Sequence, residues 1–148
     1  MKARRFLSRQ EQQLVVQAIA AAEKATSGEI RVHIEDKCHD DPKISALRSF
    51  HKLKMSETSA RNGVLIYVAC VSHKFAVIGD KGINNVVPSG FWKEVVDTIG
   101  GLFSQEHYAE GLCEGIRLIG EKLKVFFPYQ SDDVNELPDE ITYGDESK

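Results

Sequence analysis

The stretch from Arg61 to Asn85, RNGVLIYVACVSHKFAVIGDKGINN, restricts the fold more than any other part of the chain. Val64 to Ala69 and Phe75 to Ile78 are apolar runs bounded by turn formers, the pattern of buried strands. The connection Cys70 to Lys74 is short enough only for a hairpin, so the two strands run antiparallel. The start of the first strand then lies beside the end of the second, which makes Asn62 and Asp80 neighbours. Asp80 also belongs to Gly79-Asp80-Lys81-Gly82, a loop whose glycines let the backbone approach a ligand closely.

Ahead of the hairpin, Ser8 and Glu11 form a capping-box pattern, and Leu14, Val15, Ala18, Ile19 and Ala22 follow at helical spacing until Gly28 closes the helix. Ile30, Val32 and Ile34 alternate with Glu29, Arg31, His33 and Glu35, which predicts a strand with one apolar and one polar face. Asp41-Pro42 supplies a cap and a first helical position, with Ile44, Leu47, Phe50 and Leu53 as the apolar side. Pro88 to Phe103 and Ser104 to Phe127 read as two more amphipathic helices, divided near Gly100-Gly101. Gly111, Gly115 and Gly120 weaken the last one while permitting close packing. Phe91 and Trp92 follow helical spacing toward Val95 and Val96, as core residues do.

The order helix, strand, helix, strand, strand, helix, helix predicts an α/β domain. Its strand–helix–strand unit from Glu29 to Ala69 is a parallel crossover, and the hairpin adds an antiparallel strand, so the sheet is mixed. One domain over residues 1–128 is expected, with 129–148 as an acidic C-terminal tail that lacks apolar periodicity and is expected to be flexible.

At 148 residues, 42% hydrophobic and 28% charged, the composition is that of a globular protein with a substantial core. The formal charge of −3 is uneven, because Tyr129 to Lys148 carries seven acidic residues against one lysine, leaving the remainder near +3. No basic run is interleaved with aromatic residues, so nucleic acid is not an expected partner. Cys38, Cys70 and Cys113 are odd in number and widely spaced, which points to reduced thiols and a cytoplasmic protein. The N-terminus MKARRFLSRQEQQ contains no apolar signal core, and no segment approaches the length of a membrane span.

Topology brings Glu29, Asn62 and Asp80 to one edge of the sheet. Two carboxylates and an amide oxygen suit a hard cation, Ca²⁺ or Mg²⁺, whose shell is completed by water and carbonyls. The plainer reading has Glu29 paired with a lysine, Asn62 shaping a turn and Asp80 capping the following loop. Arg61 and Lys81 flank the site and, with amides around Gly82, could neutralise a bound phosphate. His39-Asp40-Asp41 serves as a helix start rather than a metal corner. His33, His51, His73 and His107 have no partner at ligand or triad spacing, and no nucleophile elbow or nucleotide-binding motif is present.

The ordered series LSRQEQQLVVQAIAAAEKATSGEIRVHIE, RNGVLIYVA, FAVIGDKGIN and FSQEHYAEGL resembles the TPM domain family, sometimes described as TPM phosphatases, over about Leu7 to Phe127. The resemblance implies a three-layer α/β/α sandwich with a small mixed sheet, a divalent-cation site often described as calcium, and acid phosphatase activity in some members. Many relatives carry signal peptides or membrane anchors, and this chain shows neither pattern, so a soluble, stand-alone member is expected. Many relatives read Asp-Asn-Gly before the central strand where this chain has Arg61-Asn62-Gly63, and glycine-tyrosine-glycine where it has GDKGIN, so its metal shell is expected to differ. The expected function is cation binding at Glu29, Asn62 and Asp80, with weak phosphomonoesterase activity in which Asp80 and Arg61 are the catalytic candidates. The alternative is a non-catalytic protein-interaction module whose cation stiffens the loops.

Overall fold

The computed structural model describes residues 2–129 and 140–144. The capping box opens α1 (Arg9–Ala22): Ser8 Oγ accepts from the Glu11 amide at 3.1 Å, while the Ser8 amide donates to the Glu11 carboxylate at 2.8 Å. This helix stops well before Gly28, because the chain after Ala22 is drawn off by other partners. The Ser27 amide donates to Phe127 O at 2.9 Å, and the Thr26 hydroxyl bonds the same carbonyl. Gly28 serves packing instead of capping, since a Cβ there would lie 2.8 Å from Leu123 Cδ1.

The expected crossover is present as β1 (Glu29–Glu35), α2 (Pro42–Lys52) and β2 (Gly63–Ala69), with β1 and β2 parallel from the pair Glu29–Gly63 to the pair Glu35–Ala69. The hairpin partner β3 (Lys74–Gly79) is antiparallel to β2. Asp80 starts a four-residue helix, α3 (Lys81–Asn84), where the sequence suggests only a loop. Two long helices follow at narrower bounds than expected, α4 (Lys93–Ser104) and α5 (Tyr108–Leu123). Gly90 has φ of +81° and Glu106 of +63°, left-handed conformations that end or precede helices rather than continue them. The break therefore falls at Glu106, and Gly100-Gly101 stays helical. Gly115 meets its expected use: a Cβ there would come within 2.5 Å of Ile99 Cδ1.

A fourth strand, β4 (Thr142–Tyr143), lies parallel to the outer edge of β1, giving the order β3-β2-β1-β4. It comes from the segment read as a flexible tail. Residues 130–139 and 145–148 lie outside the described residues, but 140–144 pair with the body, because backbone hydrogen bonding holds a short edge strand that has too few residues to show a period. The chain is thus an α/β fold of five helices and a four-stranded mixed sheet among the described residues.

β2 is buried throughout, and its two faces feed two cores. Val64, Ile66 and Val68 join Ile30, Val32 and Ile34 under α1, α4 and α5. Leu65, Tyr67 and Ala69 pack on Ala46 and Phe50 of α2 and on Met55. Of the apolar residues expected to face this second core, Phe50 is buried in it and Leu53 packs against it, whereas the other two do not reach it. Ile44 and Leu47 are exposed, and α2 buries Ser45, Ala46 and Ser49 alongside Phe50. Its hydroxyls match the polar row of β1, which is itself buried. Among the described residues no helix is long and apolar enough to cross a membrane.

Candidate functional site

Glu29 pairs with Gly63, and the Asp80 amide donates to Gly63 O at 2.9 Å. Glu29, Gly63 and Asp80 therefore form one row across three neighbouring strands, at the N-terminal end of β1 and β2. Strands spaced about 4.8 Å apart put the outer two backbones about 10 Å apart, and the middle position carries no side chain. A Cβ on Gly63 would press on Met55 O at 3.2 Å. All three expected oxygen donors are buried: Glu29 is 4%, Asn62 3% and Asp80 6% exposed.

Asp80 is held by Arg61 through a bidentate pair, Nε to Oδ2 at 2.7 Å and Nη2 to Oδ1 at 2.9 Å. Oδ1 also accepts the Lys81 amide at 2.7 Å, which caps α3. A buried carboxylate needs a cationic partner, and the guanidinium fills that role; the bond to Asp80 in turn raises the Arg61 pKa above its ordinary value. Arg61 reaches inward from a left-handed residue, φ +51°. Gly82 packs on the carbonyls of Ala60 and Arg61, where a Cβ would lie 2.3 and 2.5 Å away. With its amide committed to Asp80, Lys81 offers a phosphate only its exposed side chain.

Asn62 Nδ2 donates to Ser27 O at 3.3 Å, committing its nitrogen rather than its oxygen to the backbone. Thr58, which precedes Arg61 and accepts its amide through the backbone carbonyl, is 3% exposed, and its hydroxyl is buried without a hydrogen-bond partner. Nothing in the sequence marks Thr58, because a threonine in a turn carries no signal of a stranded hydroxyl. Among the described residues no three His, Cys, Asp or Glu side chains cluster closely enough to hold a metal ion. A cation here would depend on amide, hydroxyl, carbonyl and water oxygens beside the carboxylates.

A second polar cluster lies further along the row. His33 Nε2 sits 3.1 Å from Glu35 Oε1, its Nδ1 2.7 Å from Thr142 Oγ1, and the Tyr67 hydroxyl donates to Glu35 Oε2 at 2.9 Å. His33 meets Glu35 because residues two apart on a strand share a face, and it meets Thr142 because β4 pairs with β1 there. The bond from His33 holds the Glu35 carboxyl below its ordinary value against the opposing effect of burial, with Tyr67 assisting. Burial, then Glu35, pushes the Tyr67 phenol far above its ordinary value. Asp41 caps α2 through the Lys43 amide, as its helix-start role requires. Phe91 is buried, and Trp92 packs edge-on to it and over Gly79. The three cysteines are free thiols.

A family model of the TPM domain matches residues 1–122. The NMR structure of the BA42 protein from the psychrophilic bacterium Bizionia argentinensis has a TM-score of 0.89 at 45% identity, covering 94% of this chain and 96% of that one. The N-terminal domain of the cg2496 protein from Corynebacterium glutamicum has a TM-score of 0.64 at 13% identity over 79% and 74% of the two chains. The N-terminal domain of a P. gingivalis protein gives 0.68 at 18% identity over 84% and 82%. These last two share the fold. No curated protein matches.

Proposed function

The chain belongs to the TPM domain family, and on that premise we propose that it binds a hard divalent cation, Ca²⁺ or Mg²⁺, through Asp80, Glu29 and Asn62 in competition with Arg61. The observation that carries this reading is the buried Asp80 carboxylate, already held by a positive charge and standing in line with Glu29 across a glycine. Arg61 keeps 35% of its side-chain surface exposed, so it can swing into water when another cation takes its place. The stranded Thr58 hydroxyl is a further oxygen donor in the same connection. Oxygen ligands of this kind, completed by water, suit hard cations and no soft metal.

Competition gives the test a direction. Calorimetric titration with Ca²⁺ should find binding to Arg61→Ala about tenfold tighter than to wild type, and binding to Asp80→Ala weakest. Equal affinity in wild type, Asp80→Ala and Glu29→Ala would dispose of the site.

Weak phosphomonoester hydrolysis fits the same place. A bound cation supplies charge neutralisation to a phosphoryl group, and Arg61, once released from Asp80, offers a bidentate guanidinium to the same group. The Asp80 carboxylate bonds the Arg61 guanidinium and the Lys81 amide, and neither protonates a leaving alkoxide. Activated aryl phosphates should therefore react far faster than alkyl phosphates. Loss of the aryl-phosphate rate with chelator and in Asp80→Ala is expected; chelator-insensitive turnover, equal in Asp80→Ala, would assign the rate elsewhere. The missing proton donor favours the second reading, a non-catalytic interaction module in which the cation fixes the Ala60–Arg61 and α3 segments. Free thiols fit a cytoplasmic location.

A further inference from the structure

The outer edge of β1 is occupied in two pieces. Glu23 Oε2 takes the Ile30 amide at 2.9 Å, and beyond it His33 and Ile34 pair with Thr142 and Tyr143. The Gly144 amide donates to Ile34 O at 2.8 Å, and the Thr142 hydroxyl lies 3.4 Å from Val32 O. Side chains add selectivity to these backbone bonds. Thr142 meets His33, Arg4 stands 4.9 Å over the Tyr143 ring, and the charge of Glu140 acts on Arg31. Arg31 Nε is buried with no hydrogen-bond partner, so this cation is under-satisfied where it stands. Outside the segment an open groove of about 1020 Å³ is bordered by Arg4, Arg9, Gln12 and Leu53.

We propose that this edge of β1 is a strand-addition site for an extended acidic peptide of a partner protein, which pairs parallel to β1 and which residues 140–144 occupy as the chain's own resident copy. Main-chain bonds supply affinity in such sites, and alternate side chains supply selectivity. The features that select are visible in the resident copy. Its hydroxyl sits against His33, its aromatic ring lies under Arg4, and its glycine is obligatory, because a Cβ on Gly144 would fall 2.5 Å from Glu35 Cγ. Charge complementarity identifies the partner. Arg4, Arg9 and Arg31 border the edge, while Asp139, Glu140, Asp145 and Glu146 surround Ile-Thr-Tyr-Gly in the sequence. The ladder of β4 spans two residues against seven in β1, and so small a contact persists mainly through tethering, which supplies an effective concentration in the millimolar range. A partner segment making the same contacts over a longer ladder can displace it.

The test uses the full chain and a fluorescent peptide with the sequence of residues 138–146. Gly144→Pro removes the donor to Ile34 and vacates the edge, so the peptide should bind this variant at least tenfold more tightly than wild type. The amide shifts should centre on Val32 to Glu35. A peptide with Pro for its glycine, or with its acids changed to amides, should bind at least tenfold more weakly. Tyr143→Ala, which keeps the backbone donor, should show an intermediate gain, and native-like amide spectra of α5 in both variants establish that they are folded. Equal binding to wild type and to both folded variants overturns the proposal. So does equal binding of the proline peptide. A wild-type dimer in sedimentation that Gly144→Pro converts to monomer would give the edge to a second copy of the chain, contradicting a foreign partner.

Discussion

Gly82 packs closely against the backbone that carries Arg61. The atoms nearest a Cβ at Gly82 are backbone, Ala60 O and Arg61 O, so no flexible side chain can yield to it. Gly82→Ala is expected to cost about 1–3 kcal/mol, as overpacking does, and to shift the Arg61 segment. An unchanged thermal midpoint would show that the loop relaxes freely. Glu35 carries the clearest pH dependence. Its folded-state value is depressed, chiefly by the bond to His33, so its stabilising contribution is complete above the unfolded value of about 4.3 and is lost as pH falls through the lower folded value. Glu35→Gln should flatten the acid limb of a stability curve below about pH 4. Tyr67→Phe strands a carboxylate oxygen and should cost about 1–2 kcal/mol at neutral pH; urea midpoints across pH check both. At this scale the sequence displays Asp80 and Asn62 as neighbours, because apolar runs and a short connection dictate the hairpin. It does not display the Arg61–Asp80 pair, which depends on a positive φ at Arg61 that no residue pattern announces. The His33–Glu35 pair is present in the strand alternation, although its i, i+2 spacing is neither that of a helical ligand pair nor that of a catalytic triad.

Among the elements, those with strong local signals stand close to their expected bounds. The α1 capping box, the Asp41-Pro42 start of α2 and the three central strands all follow from local chemistry. Ends set by tertiary contacts do not. α1 yields to the Thr26–Phe127 contact, α4 ends at a left-handed Glu106, and α2 turns small hydroxyl residues toward a polar strand face. β4 is the least legible element, since two residues show no period. Gly115 ties α5 to α4 by close approach, so Gly115→Ala should drive Ile99 from its rotamer at a cost of about 1–3 kcal/mol. A thermal midpoint within error of wild type would show that the α4–α5 contact is loose.

Over the whole molecule, the sheet separates a large apolar core under α1, α4 and α5 from a smaller one on the α2 side, where polar groups of β1 are buried. The cation reading and the peptide reading lie at opposite ends of that polar row, Glu29 at one and His33 to Glu35 at the other, so a variant at either end should leave the other response intact. The central claim is that the buried Asp80 charge changes partners. An amide and Arg61 side-chain shift titration with Ca²⁺ and Mg²⁺ tests it directly. Saturable shifts at Gly28 to Ile30, Arg61 to Gly63 and Gly79 to Ile83, with release of the Arg61 Nε proton from its bonded position and no response in Asp80→Ala, are predicted. Shifts that persist in Asp80→Ala, or an Arg61 signal that never moves, would contradict it.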